Sequence, residues 1–204
     1  MPHTNTLLLE TIKIENGKVY NIHYHQTRCN KSRKILFDSM DILSLLSHIK
    51  APSKGLYRCR IIYDTQIRSI EYIHYQEKDI QSLKIVPSAL DYRHKYADRS
   101  LLVSLMKTNS DADDILIEKN GLITDTSIAN IAFYDGKKWV TPKTSLLEGT
   151  QREKLLDTGF LTKKDIKKEE LPHYTQVALM NAMIGFKILE SLKIYDLQGT
   201  IYDY

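Results

Sequence analysis

At 204 residues the chain is long enough for one or two small domains, each with a buried core. Hydrophobic residues make up 42% and charged residues 26%, ordinary values for a globular protein, and no apolar run is long enough to cross a bilayer. The net charge of +4 is spread along the sequence. Its densest run, Lys163–Glu170, carries its own acids and reads as a solvated face rather than a nucleic-acid footprint. Two cysteines, Cys29 and Cys59, exclude both a disulfide framework and a CxxC metal site. The opening Met-Pro-His-Thr-Asn-Thr is polar and carries no apolar signal segment, so the expectation is a cytoplasmic protein without membrane or nucleic-acid partners.

In chain order, Leu7–Ile14 is apolar and β-prone, Glu15-Asn-Gly-Lys18 is a hairpin turn, and Val19–His23 is expected to return as a strand. Tyr24–Leu36 has helical spacing, and Ile42, Leu45, Leu46 and Ile49 make a short apolar helical stripe. After the breaker Ala51-Pro-Ser-Lys-Gly55, Leu56–Tyr63 and Ile67–Tyr75 alternate as a second hairpin. Leu83–Val86 reads as a strand ending at Pro87, followed by a helix from about Lys95 to Met106 with Leu101, Leu102 and Leu105 on its apolar side. A meander follows through Ile115–Glu118, Leu122–Ile123, Ile128–Tyr134 and Lys138–Thr141, with turns at Asn120-Gly121 and Asp135-Gly136. Thr150–Leu156 is a helix and Gln176–Met180 a strand. The expected organisation is an α+β domain over 1–86 and a second domain over 87–204, with a site where they meet.

Five places carry candidate chemistry. Lys95, in Asp91-Tyr-Arg-His-Lys-Tyr-Ala-Asp-Arg99, is a candidate imine-forming amine if burial or its cationic neighbours lower its pKa. Local sequence alone leaves it among the surface lysines. Asp125, in Ile123-Thr-Asp-Thr-Ser127, could set a carboxylate beside a pyridine nitrogen, or could close its own turn onto Thr126 or Ser127. Gly149-Thr150 opens a helix bearing Arg152; the N–H groups of Thr150 and Gln151 could hold a phosphate, or Thr150 could be an ordinary N-cap. His25 and Arg28 stand at i, i+3 on one helical face, and an arginine fork matches phosphate oxygens. Asn181 is a lone amide in an apolar run and needs a partner, backbone or ligand. His23 and His25 alternate without a third ligand, so no metal site is expected.

In order, these segments resemble the fold-type IV (class IV) pyridoxal-phosphate enzymes, which include branched-chain and D-amino-acid aminotransferases and aminodeoxychorismate lyase. Leu9-Glu-Thr-Ile-Lys-Ile-Glu-Asn-Gly17 is similar to the family's opening F-E-T-I-x-x-x-x-G strand, and His25-Gln-Thr-Arg28 to its H-x-x-R. Gly121–Phe133 is similar to G-x-[VI]-T-E-x-x-x-x-N-[IL]-F, with Asp125 in place of the usual glutamate. Thr141-Pro142 with Leu147–Arg152 resembles T-P … L-x-G-[IV]-x-R, and Asn181-Ala182 the late N-[SA]. The set spans roughly residues 7–187.

The resemblance implies a two-domain α+β fold of the D-amino-acid-aminotransferase-like kind with a shortened N-terminal α+β domain, a pyridoxal 5'-phosphate cofactor and a homodimer. It implies Lys95 as Schiff-base lysine, Asp125 at the pyridine nitrogen, and Arg28, Thr150 and Gln151 at the phosphate, with Asn181 and Ala182 nearby. Arg99 stands where a tyrosine often follows the lysine, which inclines the reading toward the lyase branch. The implied reaction is aminodeoxychorismate to 4-aminobenzoate plus pyruvate in folate synthesis. Arg60 and Arg99, with Arg58 and Arg93 behind them, are candidates for the substrate carboxylates. The alternatives are a small aminotransferase for branched-chain or D-amino acids, and a non-catalytic relative that keeps the fold.

Overall fold

The structure, a computed structural model, describes residues 6–204. The polar opening read at Met1–Asn5 lies outside the described residues. The chain forms two compact units, one comprising residues up to Glu77 together with His94–Asp98, the other Lys78–Arg93 and Arg99–Tyr204. The sequence placed the division at 86/87.

In the first unit, strands β1 (Leu8–Glu15), β2 (Lys18–Val19), β3 (Leu56–Tyr63) and β4 (Ile67–His74) form an antiparallel sheet in the order β2-β1-β3-β4, with helix α1 (Ile22–Phe37) between β2 and β3 in sequence. Asn16 and Gly17 both have positive φ, as the two-residue hairpin between β1 and β2 requires. Alternation along β1 puts Leu8, Ile12 and Ile14 into a core with Cys29, Leu45, Cys59, Ile61 and Tyr63. β2 is two residues long where a strand to His23 was expected. Asn21 takes a left-handed conformation and starts α1 at once, so His23 is helical.

The stripe expected over Ile42–Ile49 is instead a loop with one 3-10 turn at Leu46–His48. Leu45 is buried while Ile42 is exposed. Gln26 replaces a helix ladder there, donating to the Leu43 carbonyl at 2.9 Å and accepting from Leu45 N–H at 2.8 Å.

In the second unit, β5 (Ser82–Pro87), α2 (Ser100–Lys107), β6 (Asp114–Lys119), β7 (Leu122–Thr126), β8 (Asn130–Tyr134), β9 (Trp139–Pro142), α3 (Thr150–Asp157), β10 (Leu161–Lys164), β11 (Gln176–Asn181), β12 (Gly185–Leu189), β13 (Lys193–Tyr195) and β14 (Ile201–Asp203) follow in chain order. The sheet runs β10-β9-β8-β7-β6-β5-β13-β14, with β11 paired to both β8 and β12. It is mixed: β5–β6, β5–β13 and β9–β10 are parallel. Leu83, Leu116, Ile131, Phe133, Val177 and Ile194 form the centre of its core.

The expected helix from Lys95 starts only at Ser100. Residues 95–97 are extended because their backbone pairs with β1, Leu9 N–H donating to the Lys95 carbonyl at 2.8 Å and Ala97 N–H to the Leu7 carbonyl at 2.9 Å. Of the expected apolar side, Leu102 is buried and Leu101 is exposed. Among the described residues no helix is long and apolar enough to cross a membrane.

Candidate active site

Glu10 sits on the core-facing side of β1, a position of apolar parity, with no exposed surface. α1 lays His25 and Arg28 over it, as their i, i+3 spacing predicts. Arg28 grips the carboxylate with both arms of its fork, Nε to Oε1 at 2.8 Å and Nη2 to Oε2 at 2.6 Å. His25 Nδ1 lies 2.6 Å from the same Oε2. Burial alone would raise the Glu10 pKa, but the Arg28 charge and the hydrogen bonds from Arg28 and His25 outweigh it and bring it from 4.5 down to about 2. His25 is pushed below its ordinary value mainly by burial, against the pull of Glu10. A neutral imidazole facing an ionised carboxylate carries its proton on Nδ1.

Lys95 is half-buried on the edge of β1, held there by its own carbonyl, and its charge reaches His25. His94 Nδ1 lies 3.2 Å from Ser32 Oγ. The first unit therefore gathers His25 and Arg28 around a carboxylate that sequence reasoning gave no role, with the Lys95 charge felt at His25. The available signal was a glutamate on the buried parity of an apolar strand.

In the second unit, Asp125, next to last in β7, stands opposite Asn130, which begins β8. The bend between them is closed by Thr126, whose Oγ1 accepts from Ala129 N–H at 3.1 Å. Asp125 is thus spared the turn. Its Oδ1 accepts from Asn130 Nδ2 at 2.8 Å and its Oδ2 from Leu147 N–H at 2.9 Å. Burial raises its pKa from 3.8 to about 6, against the Asn130 and Leu147 hydrogen bonds and the Arg152 charge.

Leu147 leads into α3, whose cap is Gly149, not Thr150; Thr150 and Gln151 are the first helical residues and both are buried. Gly149 is required by proximity: a Cβ there would stand 1.9 Å from Asn130 Oδ1. Asn130 completes the arrangement by donating also to the Leu147 carbonyl at 2.9 Å. Sequence reasoning gave it no function, although it occupies the asparagine position of the Gly121–Phe133 segment. Arg152 is buried, with Nη2 on the Pro142 carbonyl at 2.7 Å.

The remaining candidates are engaged elsewhere. Asn181 accepts from the Met183 and Ile184 N–H groups at 2.9 and 3.0 Å and donates to the Ile128 carbonyl at 3.3 Å, so its side chain shapes the turn that contains Ala182. Arg60 bonds Glu71 across strands at 2.9 Å. Arg99 donates to the Ser127 carbonyl at 2.7 Å, in the bend that follows Asp125. Arg93 is exposed and paired with Asp91. Arg58 keeps a buried Nε without a hydrogen-bond partner.

Residues 7–190 match the family described as amino-transferase class IV. The chain is 40% identical to an uncharacterized protein of Haemophilus influenzae over 184 residues, covering 87% of this chain and 98% of the relative. A 116-residue stretch is 32% identical to a protein of Schizosaccharomyces pombe named "putative aminodeoxychorismate lyase", spanning 52% of this chain and 49% of that protein. Among solved structures, a "putative 4-amino-4-deoxychorismate lyase" from Haemophilus somnus superposes with a TM-score of 0.82 at 37% identity, covering 89% of this chain and 98% of that one. The fold is also that of an aminotransferase structure from Mesorhizobium loti, at a TM-score of 0.72 and 19% identity. The match over nearly the whole chain shows that it belongs to the amino-transferase class IV family of pyridoxal-phosphate-dependent enzymes.

Proposed function

We propose that this chain is a pyridoxal-phosphate-dependent 4-amino-4-deoxychorismate lyase, releasing pyruvate and 4-aminobenzoate, and that it acts as a cytoplasmic homodimer in folate synthesis. The observation behind the cofactor is Asp125: a fully buried carboxylate with both oxygens oriented by fixed donors, one of them the N–H of Leu147 in the loop that leads to the Gly149 cap of α3. Burial holds its pKa up at about 6, and a cationic partner such as a protonated pyridine nitrogen would favour its ionised form. α3 begins at Thr150 behind the Gly149 cap, and backbone N–H groups at a helix start suit an anion. The likeness to proteins named as lyases favours that reaction over transamination.

In this reading Arg28, held in one orientation by Glu10, and the N–H groups of Thr150 and Gln151 bind the phosphate. Asn181 shapes the turn carrying Ala182 beside it. Asp125 holds the proton at the pyridine nitrogen. Bound pyridoxal phosphate supplies an electron sink for charge developing at the amino substrate's α-carbon. Lys95 would hold the cofactor, and its amine would move the proton at that α-carbon. Arg60, Arg99 or Arg58 meets the substrate carboxylates.

The test is the purified protein with pyridoxal phosphate and aminodeoxychorismate, wild type against Lys95→Ala, with borohydride reduction and peptide mass analysis. Reduction should fix the cofactor on Lys95, and pyruvate and 4-aminobenzoate should appear only with the wild type. Glutamate formed from 2-oxoglutarate with D-alanine or a branched-chain amino acid, without 4-aminobenzoate, would make the protein an aminotransferase instead. A cofactor scattered over surface lysines would leave a non-catalytic relative.

A further inference from the structure

Asn130 is 5% exposed, and both hydrogens of its amide nitrogen are spent: one on Asp125 Oδ1 at 2.8 Å, one on the Leu147 carbonyl at 2.9 Å. The Leu147 N–H returns a hydrogen bond to Asp125 Oδ2 at 2.9 Å. Three residues from β7, β8 and the loop entering α3 thus close a ring of hydrogen bonds. The ring settles the amide orientation, because a flipped Asn130 would point its oxygen at two acceptors. The amide oxygen then faces Gly149, so closely that only glycine fits there.

We propose that Asn130 is a positioning residue that locks the Asp125 carboxylate to the α3 entry loop, fixing the spacing between the acid and the helix start. The inference rests on the cofactor reading above, in which those two points receive the opposite ends of one ligand. A carboxylate oxygen accepts more than one hydrogen bond, so each Asp125 oxygen keeps acceptor capacity in an orientation set beforehand. A ligand that spans both points gains from the fixed spacing, whereas one that uses only the helix start gains nothing.

The test compares the wild type with Asn130→Ala, or with Asn130→Ser should the alanine variant not fold. Binding of pyridoxal phosphate and of inorganic phosphate is measured by fluorescence, and urea midpoints are recorded with and without Gly149→Ala. Pyridoxal phosphate binding should weaken ten-fold or more in the Asn130 variant, with phosphate binding unchanged within two-fold. Gly149→Ala should lower the urea midpoint sharply in the wild type and much less in the Asn130 background, because the obstructing oxygen is gone. Equal weakening of both ligands, or an equal cost of Gly149→Ala in both backgrounds, would overturn the locking role while leaving the cofactor reading intact. A wild type that does not bind pyridoxal phosphate would overturn the cofactor reading and this inference with it, whatever the urea midpoints show.

Discussion

Arg28 and Glu10 are joined at both ends of the carboxylate, by Nε to Oε1 at 2.8 Å and Nη2 to Oε2 at 2.6 Å, with Glu10 wholly inside the protein. Removing one partner of such a pair leaves an uncompensated buried charge, so Glu10→Gln should destabilise the protein by about 3 kcal/mol at pH 7. Glu10 titrates near 2 when folded against 4.5 in the reference state. Its contribution is therefore complete above pH 4.5 and lost as the pH falls through 2, amounting to about 3 kcal/mol. Urea unfolding between pH 2 and 7 reads both quantities. A Glu10→Gln protein as stable as the wild type, with the same acid limb, would contradict this account.

Asp125 predicts the opposite slope. Its folded pKa of about 6 lies above the reference 3.8, so the folded state holds a proton that the unfolded state has released. Stability attributable to Asp125 is greatest below pH 3.8, falls by about 3 kcal/mol as the pH rises to 6, and is flat beyond. His25, lowered by burial, works the other way, stabilising above its ordinary pKa and losing that contribution as the pH falls. The wild-type minus Asp125→Asn difference cancels His25 and should show the Asp125 slope alone. In the cofactor reading, saturating pyridoxal phosphate should abolish that slope, because the pyridinium favours the carboxylate.

The strands were legible because alternation and Asn-Gly turns are local signals, and β3, β4 and the β6–β9 run fall where the pattern puts them. The segment at Lys95 was not, because it is extended through pairing with β1, some ninety residues away in sequence. Ile42–Ile49 misled for a similar reason: its backbone partners come from the Gln26 side chain rather than from its own helix. In the candidate site, Asp125, Arg28 and the α3 entrance were visible as motif positions. The orienting roles of Glu10 and Asn130 were not, although both stand in the quoted motifs, because sequence does not show which side chains meet in the fold. The choice of Thr126 over Asp125 to close the β7–β8 bend is settled only by the Asn130 and Leu147 donors that claim the aspartate.

Arg33 should matter to stability as much as any core residue. It is completely buried and donates to the Asp41 carbonyl at 2.8 Å, the Thr65 carbonyl at 2.7 Å and the Asp64 carbonyl at 3.3 Å, tying α1 to the β3–β4 turn. Lysine cannot reproduce that fork, so Arg33→Lys should cost about 2–3 kcal/mol through the carbonyls left unpaired. Its ion-pair partner Asp41 is 69% exposed. Asp41→Asn should therefore cost far less than Arg33→Lys. Equal losses in the two variants by urea unfolding would show that the ion pair, not the carbonyl network, holds the segment.

Arg152 links the first turn of α3 to both the β9 strand and the acid. Its Nη2 donates to the Pro142 carbonyl, its Nη1 to Glu153 at 2.8 Å, and its charge draws the Asp125 pKa down. Arg152→Met removes that charge without opening a large void, so Asp125 should titrate above the wild-type value of about 6. Arg152→Lys, which keeps a charge, should shift it less. Loss of the bond to Pro142 should lower stability by about 1–3 kcal/mol in the methionine variant. Carboxyl carbon NMR of aspartate-labelled protein follows the titration directly. A folded Arg152→Met protein whose Asp125 midpoint does not move would remove Arg152 from the electrostatics of the acid and leave Asn130 and the Leu147 N–H as the groups that hold it down.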